Sequence, residues 1–321
     1  GRINADFITT GTLNAERIAV ETYDNATGLL TDYIRFENGT IILGKSESAI
    51  ILKLGSEEVA FYRVVRRSDD TTVEEKVARF ADNSFEIEKI NYILENYKEI
   101  CYNIENAKIK YRKQSEKVDI MAVTKTVSPE KINFAVSQGI TLLGENRVQE
   151  LTAKLADNAY EGAPVHFIGH LQTNKVKQVV GKVDLIQSVD SEHLLAAIHK
   201  EAKKQGIVQN ILLEVNVGAE ESKSGFAPEE VLPLLDKISE YPNIRVKGLM
   251  AIPPISEKHG DNVKYFEKMC KISVDIIEKK YDNVKVECMS MGMSGDYIDA
   301  IRCGSTMIRV GTAIFGPRDY T

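Results

Sequence analysis

Lys125 stands directly after VDIMAVT, a run that is apolar enough to read as a buried strand, and just before SPE, which reads as the start of a helix. An ammonium is rarely buried without a partner. A lysine at such a strand end either snorkels to water or lines a pocket. One that is desolvated, or faces another cation, loses basicity and becomes a nucleophilic amine that forms Schiff bases with aldehydes. Two later phrases have a different chemistry. SMGMSGD (290–296) and RVGT (309–312) put Ser294, Gly311 and Thr312 where small side chains, hydroxyl donors and close backbone approach can receive an anion. GDYIDAI, from 295, opens a helix whose first amides can face the same anion.

Further polar residues end apolar runs: Asn146 after ITLLGE, His170 in VHFIGHL, Ser188 in VDLIQSVD, Asn216 in NILLEVNVG and Arg309 in MIRVG. His170 has no second histidine or carboxylate spaced to share a metal, so it reads as a hydrogen-bonded structural residue. The four cysteines (Cys101, Cys270, Cys288 and Cys303) form no CxxC pair, which points to reduced thiols rather than a zinc site or disulfide framework.

The elements that carry these residues alternate in type. Eight strand-like runs (VDIMAVTK, ITLLGEN, VHFIGHL, VDLIQSVD, NILLEVNVG, VKGLMAIPP, VECMSMGM, MIRVGTAIFG) are separated by seven helix-like runs, from SPEKINFAVSQG to GDYIDAIRCG. Ser128-Pro129-Glu130 supplies a helix start, and Gly139 and Gly206 sit where helices stop. Near-continuous apolar strands, each followed by a helix, are what a (β/α)8 barrel requires. A doubly wound open sheet would want a GxGxxG turn after its first strand, and none is present. Chemistry in such a barrel collects at the C-terminal strand ends, with a phosphate site beside the last two strands. A phosphate cradle facing a nucleophilic lysine specifies an aldehyde-bearing phosphate. Pyridoxal 5′-phosphate and a sugar phosphate of the class I aldolase type both satisfy it.

Residues 1–75 have another texture. YIRF, TIILG, AIILKL and EVAFYRVV alternate between polar turn signals (ENG, GKSES, GSEE), which predicts a small β-rich segment of hairpins. Charged residues follow, and 76–83 is read as the end of a linker, with an amphipathic helix and the barrel over 84–321. The whole chain of 321 residues is 43% apolar, 27% charged and carries a formal net charge of −6. That balance gives a sizeable core and argues against a nucleic-acid partner. No run approaches a membrane span and no secretion signal opens the chain, so a cytoplasmic location and no membrane partner are expected.

AVTKTVSPEKI, LLGENRVQE, HFIGHLQTNK, LEVNVGAEESKSG, VKGLMAIPP, MSMGMSGD and MIRVGTAIFGPRDY together resemble the YggS/PROSC family of pyridoxal phosphate homeostasis proteins, whose barrel is of the alanine racemase N-terminal-domain type. The resemblance implies that Lys125 holds pyridoxal 5′-phosphate as an internal aldimine. It also implies that Ser294, Gly311 and Thr312 hold the phosphate, that Arg309 meets the pyridine nitrogen and that Asn146 lies beside the ring. An arginine there keeps the nitrogen neutral and the ring a weak electron sink. Alanine racemases continue into a second β domain that brings a tyrosine base, whereas GPRDYT follows the eighth strand here. The expectation is a binder and carrier of the cofactor with no catalytic residue of its own and with pyridoxal-dependent apoenzymes as partners. An amino-acid racemase is the alternative. INADFITTGTLNAERI and YIRFENGTIILGK resemble phage minor tail proteins. That implies an oligomerising stalk, or a phage structural component with a barrel fused to it.

Overall fold

The computed structural model describes the backbone of seven strands between residues 17 and 86, and in full 92–112, 115–220, 223–254, 258 and 260–316. The chain divides into two compact units, Gly1–Asn91 and Tyr92–Thr321. The first is an antiparallel meander of β1 (Arg17–Tyr23), β2 (Leu30–Glu37), β3 (Thr40–Lys45), β4 (Ser48–Leu54), β5 (Glu58–Arg66), β6 (Thr72–Ala81) and β7 (Ser84–Glu86), each paired with the next. Glu37 pairs with Thr40 across Asn38-Gly39, a dipeptide that tight hairpins favour.

The expected linker is not a break in structure. β6 runs through 72–81 and pairs with β5, with Glu75 opposite Arg63 and Val73 opposite Val65. A stretch with no apolar period of its own can still pair as a strand when a neighbouring strand offers its open ladder. β7 occupies 84–86, and the helix expected from 84 begins instead at Tyr92.

The second unit is a closed parallel barrel of β8 (Asp119–Val123), β9 (Leu143–Glu145), β10 (Val165–Phe167), β11 (Leu185–Val189), β12 (Gln209–Glu214), β13 (Ile244–Met250), β14 (Val284–Ser290) and β15 (Met307–Val310). β15 pairs back onto β8 from Met307↔Asp119 to Val310↔Ala122, closing the ring. Around it lie α1 (Tyr92–Tyr111), α2 (Pro129–Ser137), α3 (Val148–Ala156), α4 (Glu192–Gln205), α5 (Val231–Leu235), α6 (Val263–Lys279), α7 (Tyr297–Arg302) and α8 (Thr312–Phe315). TNKVKQ, read as helix, is a 3-10 turn at Thr173–Gln178, too short to nucleate a longer helix. Ser128 and Pro129 start α2, and Gly206 ends α4 in the left-handed conformation (φ 68°).

Met121, Ile168, Leu185, Leu212, Met250, Cys288 and Met307 fill the barrel's interior. Each such side chain removed from water contributes about 2 kcal/mol. One polar string crosses this interior. Arg309 Nη1 donates to the Ser290 hydroxyl (2.7 Å), which donates to Gln187 Oε1 (2.6 Å), and Gln187 Nε2 donates to His166 Nδ1 (2.9 Å). Each link joins a donor to an acceptor, which is how polar groups persist in a core. Burial holds His166 down at about 4, so its ring is neutral. α1 is tied to the last strand's exit: Tyr92 donates to the Phe315 carbonyl (2.8 Å) and Asn96 to that of Ile314 (3.0 Å).

Candidate functional site

Two cavities adjoin at the C-terminal mouth of the barrel. One, of about 260 Å³, is lined by Asn146, Ser294, Arg309, Gly311 and Thr312. The other, of about 220 Å³, is lined by Lys125, Lys131, Ser128 and, again, Gly311 and Thr312. The six residues expected at the site therefore surround one continuous stretch of wall formed by the loop after β15. This follows from register, because residues two beyond an inward core position point inward as well. Met307 lies in the interior cluster and Arg309 continues its face, just as Glu214 continues that of Leu212.

Thr312 Oγ1 donates to Ser294 Oγ (3.3 Å), so the loops after β14 and β15 present their hydroxyls together. The Lys125 amine makes no hydrogen bond or ion pair among the described residues, and Lys131 lines the same cavity. Asn146 Oδ1 is buried with no hydrogen-bond partner among the described residues. Its backbone lies so close to Gly169 that a Cβ there would fall 1.9 Å from the Asn146 carbonyl oxygen, which makes glycine the residue that fits. A buried acceptor left open costs free energy unless something meets it.

Arg309 is the most constrained group. It is 4% exposed and donates through Nη1 to the Ser290 carbonyl and hydroxyl (2.7 Å each) and through Nη2 to the Ala251 carbonyl (2.8 Å). Burial pushes its guanidinium down to about 10, partly offset by Glu214, so it stays cationic at neutral pH. Glu214, 8% exposed at the end of β12, is pushed up to about 7 by burial and by Asp190, against the pull of Arg309 and His170.

Three of the polar strand-end residues serve other ends. The Ser188 hydroxyl donates to the Gly169 carbonyl (2.5 Å) inside the wall. His170, largely exposed, has its Nδ1 within hydrogen-bond distance of Asp190 Oδ2 (3.1 Å). Asn216 closes its own loop through the Glu220 and Lys223 carbonyls. Among the described residues no cluster of three or more His, Cys, Asp or Glu is placed to hold a metal, and no helix is long and apolar enough to cross a membrane. Glu214, Glu145 and Lys154 were missed by the sequence reading. The signal for Glu214 was present: a carboxylate inside LLEVNV, in step with inward Leu212.

Residues 96–319 match the family model described as alanine racemase, N-terminal domain, and this defines the class of barrel. A curated relative from Aquifex aeolicus is 45% identical over 63% of this chain and 87% of its own length, and one from Pasteurella multocida is 36% identical over 71% of this chain and 99% of its own. Both are named pyridoxal phosphate homeostasis protein. The solved structure of PipY from Synechococcus elongatus, with pyridoxal phosphate bound, superposes with a TM-score of 0.61 at 27% identity, covering 70% of this chain and 100% of that one. This chain belongs to the pyridoxal phosphate homeostasis protein family. The family model begins at residue 96, so the likeness of the first 75 residues to tail proteins rests on their own phrases alone.

Proposed function

We propose that this chain binds pyridoxal 5′-phosphate and serves its homeostasis in the cytoplasm, holding the cofactor covalently through Lys125. The observation that carries the reading is the convergence of an unpaired amine, two adjacent hydroxyls, a buried guanidinium and an open buried amide oxygen on adjoining cavities. These groups fit the cofactor: Asn146 Oδ1 in particular is an acceptor that the protein leaves unmet. Bound pyridoxal phosphate supplies an aldehyde open to amine attack and an electron-withdrawing ring.

Each residue then has one task. Lys125 supplies the amine. Ser294, Thr312 and the Gly311 backbone hold the phosphate by hydrogen bonds. Asn146 would lie beside the ring. Arg309, anchored by its own hydrogen bonds, would bring a positive charge to the pyridine nitrogen and so disfavour protonation there. That weakens the ring as an electron sink and supports carrying over turnover, with pyridoxal-dependent apoenzymes as recipients. Residues 1–75 are proposed as an oligomerising segment. A trimer by light scattering that becomes a monomer when they are deleted supports this, and an unchanged mass refutes it.

The test is a visible absorption spectrum of protein loaded with pyridoxal phosphate, before and after borohydride, followed by peptide mass mapping. A borohydride-fixed adduct on Lys125, absent in Lys125→Ala, is expected. No adduct in the wild type would overturn the reading. Sustained racemisation of a single L-amino acid by the wild type but not by Lys125→Ala would replace the carrier with an enzyme.

A further inference from the structure

The chain leaves β8 through a tight turn in which Val127 N donates to the Thr124 carbonyl (3.0 Å), making Lys125 and Thr126 its central residues. Thr126 has φ 60°. The left-handed region is uncommon for any residue with a Cβ and is costly for a β-branched one. Glycine or asparagine is the ordinary choice at such a position. A threonine stays there only when its surroundings over-determine it.

Those surroundings are two side chains of α3. Glu150 Oε2 accepts the Thr126 amide (2.8 Å). Lys154 Nζ donates to the Thr124 carbonyl (2.6 Å) and to Glu145 Oε1 (2.7 Å), and lies 3.5 Å from Glu150 Oε2. The Thr124 hydroxyl donates to the same Glu145 oxygen (2.5 Å). Thr124 and Glu145 are fully buried and Lys154 nearly so. Tyr160 packs beside this carboxylate, and burial with the charge of Glu145 holds its phenol well above the ordinary range, so it stays neutral. A buried ion pair on its own speaks to stability at most. Here its attachments fall on the two peptide groups that flank Lys125, the carbonyl before it and the amide after it.

We infer that Glu150 is a positioning residue for Lys125: through the Thr126 amide, and braced by the Lys154–Glu145 pair, it holds the turn in its left-handed form so that the lysine amine enters the mouth ready to capture the cofactor aldehyde. This rests on the reading of Lys125 as the attachment point. Without the Glu150 acceptor, Thr126 relaxes toward ordinary backbone and Lys125 spends less time facing the cavity it shares with Gly311 and Thr312.

The experiment compares wild type with Glu150→Ala, Glu150→Gln, Thr126→Gly and the Glu150→Ala/Thr126→Gly double variant. One readout needs no cofactor: hydrogen exchange in peptides spanning 124–130. The other is the rate at which pyridoxal phosphate becomes borohydride-fixable on Lys125. Glu150→Ala should raise exchange and slow capture about tenfold, the effect of about 1.4 kcal/mol on a rate. Glu150→Gln keeps an acceptor oxygen and should lie near wild type. In the double variant capture should return to within about threefold of wild type, since glycine takes the left-handed backbone without steric cost, while exchange stays fast. A merely structural Glu150 would lower the melting temperature without rescue by Thr126→Gly. Capture by Glu150→Ala at the wild-type rate, or no recovery in the double variant, would overturn the inference. Should wild type form no adduct on Lys125, the binding reading fails instead. Exchange then decides the clamp, and unchanged protection in Glu150→Ala would refute it.

Discussion

Replacing Glu214 by glutamine should stabilise the barrel, and more so the higher the pH. The carboxyl moves from 4.5 to about 7 on folding, chiefly through burial and the nearby Asp190. Because the folded value is raised, the folded state binds more protons between those two limits, and stability falls as pH rises through the window. Below about 4.5 both states are protonated and the penalty vanishes; above about 7 it is complete. At about 1.4 kcal/mol per tenfold change in acidity, the full penalty is about 3 kcal/mol. Glutamine has the shape of the protonated acid and removes it. Arg309 stays cationic throughout the window, and His170 and Asp190 are the other charges that face the position. For a barrel of this size the gain at pH 8 should raise the melting temperature by about 5–10 °C, shrinking toward zero near pH 4.5. Thermal melts by circular dichroism at pH 4.5, 6 and 8 measure it. A shift of equal size at all three values would refute the assignment, as would a loss of stability at pH 8.

Three other outcomes follow from the same geometry. Arg309→Leu leaves the Ser290 and Ala251 carbonyls without their donor and Glu214 without its countercharge, so it should cost about 3 kcal/mol or more in urea unfolding; a midpoint unchanged from wild type contradicts this. His166 has the opposite sign to Glu214: its folded value lies near 4, below the usual 6.5, so the unfolded chain binds more protons and stability falls as pH drops from about 6.5 to 4. His166→Gln should flatten that acid limb in a pH series of melts, and an identical limb in the variant speaks against a buried neutral ring. Ser294→Ala with Thr312→Val should weaken competition by inorganic phosphate for the site by about thirtyfold, given two lost hydrogen bonds at about 1 kcal/mol each; unaltered competition would place the phosphate elsewhere.

The barrel was legible because its strands are buried on both faces and its helices are amphipathic, so the pattern changes period at every junction. The candidate site stood out for a related reason. Lys125, Asn146 and Arg309 are polar residues in apolar company, and Ser294, Gly311 and Thr312 belong to short turn phrases with anion chemistry. Less accessible was which strand-end residues face the mouth. Ser188 and Asn216 look equivalent to Asn146 in one dimension, yet one bonds inside the wall and the other folds its own loop. The choice depends on register and on who else competes for the hydroxyl or amide. The β6 strand was hidden for another reason: it forms by pairing with β5, and a partner strand is invisible in a local window. Glu150 and Lys154 read as a solvated helix face at i,i+4, and only the position of α3 turns them inward.

The string from Arg309 through Ser290 and Gln187 to His166 has a consequence for how this sequence can change over time. Its four members come from four different strands, and each satisfies the next inside the core. A mutation at any one position orphans its neighbour, so the first step away from this arrangement is uphill whichever residue moves first. Sequences that diverge from it must therefore cross by compensated pairs or abandon the string together. Positions 166, 187, 290 and 309 should be inherited as a block, with the guanidinium at the mouth kept in place by a histidine on the far side of the core.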